Sequence, residues 1–154
     1  MKKALTAMLV VAALCSGVAL NVWLKADFVT LNGDTKRWRD LQGQWVVVNY
    51  FAQWCAPCLR EIPELNAFYR QNPQVAIFAV SFDPLDEEQL EQMRTVYKLE
   101  FPIIAQLYAS PWPERPKTLP HTFIIDPQGK VVRELKGEQD ADNLRLLISQ
   151  LQGS

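Results

Sequence analysis

The stretch NYFAQWCAPCLREIP, residues 49–63, sets Cys55 and Cys58 two residues apart, with Trp54 before them and Pro57 between. Two thiols at this spacing can serve a zinc site, a haem attachment, a structural staple or a redox pair. A structural zinc needs about four ligands, and beside this pair the chain offers one histidine, His121. Covalent haem attachment needs a histidine after the second cysteine, and Leu59 stands there. A bridge closing so short a loop removes little chain entropy, which makes a weak staple. Redox chemistry fits the local physics best. If a helix begins near Ala56, Cys55 lies at its N-terminal end, where free N–H groups and the helix dipole stabilise a thiolate. Cys55 is then the exposed, attacking sulfur. Cys58, one turn on, faces inward and resolves the mixed disulfide, leaving the pair oxidised and the substrate reduced. Pro57 fits the first helical turn at little cost. Glu61 follows Cys58 by three residues and shares its helical face. If partly buried beneath the cysteines, its carboxyl would have a raised pKa and could exchange a proton with the resolving thiol; otherwise it is a solvated helix glutamate.

These residues need a strand and a helix to hold them. WVVVNYF, residues 45–51, is a continuous β-branched and aromatic run, as in a strand covered on both faces, and it leads straight into the cysteines. Leu59, Ile62, Leu65 and Tyr69 recur at helical spacing, predicting a helix over 56–71 with Pro63 kinking it. DFVTLNGDTKRW reads as a hairpin turning at Asn32-Gly33, and RDLQG as a helical turn ended by Gly43. VAIFAV, residues 75–80, is a second buried strand. Asp86 and Gln89 form a capping-box pattern before a helix that buries Leu90, Met93 and Tyr97. FPII is a short extended run. Pro111, Pro113, Pro116 and Pro120 make 106–119 mostly loop. HTFIIDPQGKVVREL reads as strand, turn and strand, and Leu144, Leu147, Ile148 and Leu151 mark a last helix. This order predicts an α/β fold, a central mixed sheet with helices on both faces, with the cysteines at a strand's C-terminal edge.

At 154 residues the chain holds one domain. Its formal net charge of −1 gives no reason to expect nucleic acid as partner. The first 24 residues stand apart. Behind Lys2 and Lys3, residues 4–24 carry no charge, and at about 1.5 Å each they span roughly 30 Å, the thickness of a bilayer core. The lysines stay cytoplasmic, so residues 25–154 are exported. A retained membrane anchor is the preferred reading, and a cleaved signal peptide ending near Gly17-Val18-Ala19 is its rival. The exported part keeps only Cys55 and Cys58, which an oxidising compartment can hold as a disulfide.

The strand, WCAPC, the helix and the later LPHTFIID together resemble the thioredoxin superfamily. Within it, residues 26–152 are similar to the exported thiol-disulfide oxidoreductases of the TlpA/ResA/CcmG type. That resemblance implies a thioredoxin-like fold with an N-terminal β-hairpin extension, Cys55 as nucleophile and Cys58 as resolving thiol. It implies that Pro120 is the cis-proline facing the disulfide, presenting backbone at Leu119 to an extended substrate. Trp54 would shape the lip of the site, and CLREIP reproduces the family's C-x-x-E-x-P with Glu61. Asn49 stands where thioredoxins carry a buried aspartate. His121 departs from the pattern. It counts as substrate-facing if its imidazolium stands near the sulfurs, and otherwise is a surface histidine at a strand end. The 106–119 loop is either a partner-binding lip or a neutral insertion. The implied activity is reduction of protein disulfides outside the cytoplasmic membrane, with apocytochrome c as leading client, a membrane thiol donor as electron source and no cofactor or resident metal. Ala56-Pro57 resembles the Gly-Pro pair of reducing thioredoxins. The alternatives are a disulfide oxidase or isomerase, and a copper metallochaperone with His121 adding a ligand to the two thiolates.

Overall fold

The computed structural model describes residues 25–153. The predicted anchor or signal peptide, residues 1–24, lies outside them. Among the described residues, no helix is long and apolar enough to cross a membrane.

The strands are β1 (Phe28–Thr30), β2 (Thr35–Lys36), β3 (Trp45–Phe51), β4 (Val75–Ser81), β5 (Ile103–Leu107), β6 (His121–Ile125) and β7 (Val131–Lys136). The helices are α1 (Ala56–Gln71), α2 (Glu87–Tyr97) and α3 (Ala141–Gln152), with a 3-10 turn at Trp38–Leu41. One sheet runs in the order β2-β1-β5-β4-β3-β6-β7. β3, β4 and β5 are parallel, and an antiparallel hairpin closes each edge. The first hairpin turns where Asn32-Gly33 predicts, because Gly33 at φ +86° adopts a conformation that other residues resist. The capping box of α2 is complete: Gln89 N–H donates to Asp86 Oδ1 at 2.8 Å and Asp86 N–H to Gln89 Oε1 at 3.0 Å.

The sheet is flanked by helices, but not on both faces as expected. Leu65 and Phe68 of α1, Leu90 and Met93 of α2, and Leu144 and Ile148 of α3 all join one core with Val47, Ile77, Ile103 and Ile124. The reason is handedness. The β3-α1-β4 and β4-α2-β5 crossovers step across the sheet in the same direction, and right-handed connections then lay both helices on the same face. α3 packs beside α1. The second face, built on Val46, Val48, Phe78, Val80 and Phe123, is closed by Trp38 of the 3-10 turn and by Trp112 of the proline-rich loop. Four prolines between 111 and 120 forbid a helix there, so a single indole fills the space. Trp112 stacks on Phe123 at 4.9 Å and meets Trp38 and Tyr50 edge-on at 5.3 and 5.9 Å.

Helix α1 begins and ends where the periodicity sets it and continues through Pro63, which faces solvent. Phe68 rather than Tyr69 fills its core position: Phe68 is fully buried and Tyr69 is exposed, its ring tilted against Phe101. Asn66 ties α1 to the segment entering β5, donating to Lys98 O at 2.7 Å and accepting from Glu100 N–H at 3.0 Å.

Trp112 is the largest side chain of the loop and the plug of the second face. Trp112→Ala is expected to cost about 3–5 kcal/mol in urea unfolding, as for other buried large aromatics. A cost below about 1 kcal/mol would mean that the loop is not held by its indole.

Candidate active site

β3 delivers the chain to the sheet's edge, where Cys55 N–H donates to Ala52 O at 3.1 Å and closes the turn into α1. Cys55 is the N-cap of α1, and the first-turn N–H of Cys58 donates to Cys55 Sγ at 3.3 Å. Cys55 and Cys58 form a disulfide. A backbone donor aimed at Sγ from a helix N-terminus is what stabilises a thiolate there once the bond is reduced. Cys58 is 0% exposed and Cys55 5%. Cys55 is therefore the more accessible sulfur, though far less open than a free helix end suggests, because both cysteines are packed into the helix-side core.

Glu61, one turn after Cys58, is 1% exposed. Asn49 Nδ2 donates to its Oε1 at 2.8 Å, and the backbone N–H of Gln139 donates to its Oε2 at 2.9 Å. Burial raises its pKa from the ordinary 4.5 to about 7, the nearby Glu138 charge adds to the rise, and the two donors hold it down. The result is a carboxyl that can gain or lose a proton near neutral pH. Each of its oxygens still has a lone pair to spare.

The Leu119-Pro120 peptide is cis. Pro120 is buried and Leu119 half-buried, packed between the two cores. The carbonyl of Pro120 accepts from Gly137 N–H at 3.0 Å. Residues 137–139 therefore hold both the cis-proline and Glu61. Arg60 and Glu138 pair at the surface of the same corner. Trp54 stands at the lip, 66% exposed, its indole N–H donating to Asp83 at 2.8 Å and its ring edge-on to Phe82. Beside it lies a hollow of about 400 Å³, lined among others by Tyr50, Phe82, Asp83, Tyr108 and Arg115. The Arg115 guanidinium lies 3.8 Å over the Phe82 ring. The 106–119 loop thus forms a wall next to the site rather than an outlying insertion.

His121 does not join the sulfurs. Strand alternation sends it to the opposite face of β6, where it packs on Phe123 at 4.7 Å with Nε2 3.6 Å from Glu134. It is no surface residue either, being 3% exposed, and burial lowers its pKa. From that face it cannot add a third ligand to the cysteine pair, and among the described residues no group of three metal-ligating side chains occurs. The residue that β6 turns toward the site is Thr122, whose Oγ1 accepts from Asn49 Nδ2 at 3.1 Å. Strand alternation from Pro120 is the signal that would have found Thr122. The backbone donor of Gln139 left no trace in the sequence.

Glu61 makes stability depend on pH. Its native pKa lies above its unfolded value, so the native state binds the proton more tightly. The stability this contributes below 4.5 is lost as the pH rises through about 7. The whole difference is worth about 3 kcal/mol. His121 acts oppositely, its lowered pKa removing stability as the pH falls below 6.5, so the comparison needs a variant. Relative to Glu61→Gln, the oxidised protein is expected to lose about 3 kcal/mol of unfolding free energy between about pH 4.5 and 8.5. Parallel stability curves would contradict the buried carboxyl.

The AhpC/TSA family pattern matches residues 19–134. The thiol-disulfide oxidoreductase ResA of Bacillus thuringiensis subsp. konkukian is 30% identical over 128 residues, covering 79% of this chain and 71% of the relative. ResA of Bacillus anthracis is 32% identical, covering 74% and 67%. Among solved structures, StoA from Bacillus subtilis superposes with a TM-score of 0.62 at 21% identity, covering 77% of this chain and 92% of that one. A thiol-disulfide isomerase from Corynebacterium glutamicum reaches 0.66 at 22%, covering 83% and 94%. These two share the thioredoxin-like fold. With the Cys55–Cys58 disulfide at the head of α1, the chain belongs to the AhpC/TSA family, as a ResA-like thiol-disulfide oxidoreductase.

Proposed function

We propose that the protein reduces protein disulfides outside the cytoplasmic membrane, held there by residues 4–24 and recharged by a membrane thiol donor. Apocytochrome c, reduced before haem attachment, is the proposed client. The observation that carries the reading is the disulfide capping α1 with a buried, near-neutral carboxyl one turn below it.

In the reduced protein, the Cys55 thiolate attacks one sulfur of the client disulfide. A Cys55–client bond forms, and the client's other sulfur leaves as a thiolate. Cys58 then gives its proton to the Glu61 carboxylate and attacks Cys55 Sγ. The Cys55–Cys58 bond closes, the client's second thiolate leaves, and the client has gained two electrons. A carboxyl with pKa about 7 takes and returns that proton with little driving force wasted at neutral pH. The client lies as an extended strand along Leu119-Pro120, with Trp54 and the hollow beside it receiving flanking residues. The uncharged run behind Lys2 and Lys3 supports export, and the oxidising compartment demands an outside electron source.

Two measurements test this. Residues 25–154 equilibrated in thiol buffers are expected to show a reduction potential near thioredoxin's, about −270 mV, whereas about −120 mV would make the protein an oxidant. A Cys58→Ser variant in the native host is expected to accumulate clients as mixed disulfides on Cys55. An empty trap would count against a protein substrate.

A further inference from the structure

The chain enters its fold at the sheet edge that carries the disulfide. β3, β4 and β5 run parallel, so their C-terminal ends share one edge. Phe51 at the end of β3 leads into Cys55, and Leu107 ends β5. β1 is antiparallel to β5, with Phe28 opposite Leu107, so β1 starts at that same edge. β5 and β4 lie between β1 and β3. Three strand spacings of about 4.8 Å make roughly 14 Å across.

Asp27, the residue before β1, is fixed. Its N–H donates to Lys36 O at 2.9 Å, and its carbonyl accepts from the N–H groups of Tyr108 and Ala109 at 2.8 and 3.0 Å. Its Oδ2 accepts from Trp38 N–H at 2.8 Å. Tyr108 and Ala109 also line the hollow beside Trp54. Only Lys25 and Ala26 separate this clamp from the uncharged run that ends at Leu24. Three Cα steps reach at most about 11 Å. Lys25 is the first charge after the run, which suits the water boundary of a bilayer. The most exposed large apolar side chains among the described residues, Trp54 at 66% and Tyr108 at 62%, both stand on this edge. Aromatic rings with a polar tip suit a membrane–water interface. Asp86, Glu87 and Glu88 open α2 just past β4, on the same edge. Anionic headgroups repel them, so the edge faces a bilayer across water rather than entering it.

We propose that this short tether turns the redox edge toward the membrane and holds the Cys55–Cys58 pair within roughly 25 Å of the bilayer surface, the sum of the tether and the width across the sheet. The inference rests on residues 4–24 being a retained anchor, as proposed above. The opposite edge lies the 7 residues of β3 further away, roughly 23 Å. The partner this surface fits is a membrane-embedded dithiol protein. Its thiolate attacks Cys55 Sγ, and Cys58 leaves as a thiolate and takes a proton. The partner's second thiol gives up its proton and displaces Cys55. The partner ends as a disulfide, and the pair gains two electrons. The domain meets such a donor without letting go of the membrane or turning over.

Full-length protein in vesicles tests the orientation. With the native cysteines replaced by serine, one fluorophore is placed through Gln53→Cys beside the site, or through Gln74→Cys before the far end of β4, both exposed positions. Quenching by spin labels on the lipid headgroups is expected to be several-fold stronger at position 53 than at 74. Inserting about twenty Gly/Ser residues after Leu24, roughly 25 Å of flexible tether, is expected to make the two equal. Equal quenching at native length, or stronger quenching at 74, would overturn the proposal. A bias that survives the insertion would assign the orientation to lipid contact and overturn the tether's part. In the wild-type sequence, a dithiol attached to lipid headgroups is expected to reduce the disulfide several-fold faster than in the lengthened chain, and equal rates would count against the membrane-embedded partner. Sedimentation with the vesicles is read first. Protein that washes off fails the anchor reading itself, and the orientation falls with it.

Discussion

A carboxyl buried beneath a disulfide has to be held by donors, and the site is organised around that need. Glu61 is fully enclosed, and its two oxygens are met by Asn49 from the central strand and by Gln139 from the β7–α3 corner. Those two bonds fix the depth of α1 against β3 and the approach of the corner to α1. The corner in turn holds the carbonyl of Pro120 through Gly137. The acid and the cis-proline are thus tied through one corner, although they lie far apart in sequence, and α1 carries the cysteines with the acid. The donors do not cancel the cost of burial. They leave the pKa at about 7, which suits the proton exchange with a thiol proposed above.

The sheet divides the labour between its faces. Two right-handed crossovers in the same direction put α1 and α2 together, and α3 joins them, so one face has a deep helical core and the redox centre at its upper edge. The other face has a thinner cover, a 3-10 turn and a loop fastened by Trp112. The same loop walls the hollow beside Trp54. The wall next to the site is therefore built from a segment with no regular structure of its own, anchored at a single aromatic cluster. Such a segment can vary in sequence away from its anchor without disturbing the helices that hold the cysteines.

How far the sequence could be read follows from which physics is local. The bounds of β3 and α1, the turn at Asn32-Gly33, the capping box of α2 and the spacing of Cys55, Cys58 and Glu61 are set by neighbours along the chain. Each appears in the structure as read. Pro120 was placed by resemblance to a family, and its cis bond agrees. The misreadings arose where a partner is distant. Proximity to Pro120 suggested His121, whereas alternation across the pleat turns Thr122 to the site and His121 away. Tyr69 and Phe68 both fit a helical stripe, and only packing in the helix-side core shows that Phe68 is inside. Helices on both faces were expected from the order of elements alone, which does not say that the two crossovers step in the same direction. The backbone N–H of Gln139 carries no side-chain signature, so nothing in the sequence could mark it.

The family resemblance and the physical reading meet at Asn49. An aspartate there would place a second carboxylate 2.8 Å from Glu61. Two buried carboxylates at such a distance cannot both ionise, so they would share a proton and titrate as a pair. An asparagine removes that repulsion and keeps the hydrogen bonds, leaving one acid with one pKa. The titration near neutral pH is then concentrated on Glu61, on the same helix as Cys58. A fixed donor on Oε2 and an amide on Oε1 leave this acid few ways to be misplaced. The same arrangement bears on how a nearly closed disulfide could be opened. In the proposed reaction, the proton required when Cys58 is released would come from Glu61, buried one turn on along the same helix, so reduction would need only the approach of a thiolate to Cys55, not the entry of water to Cys58.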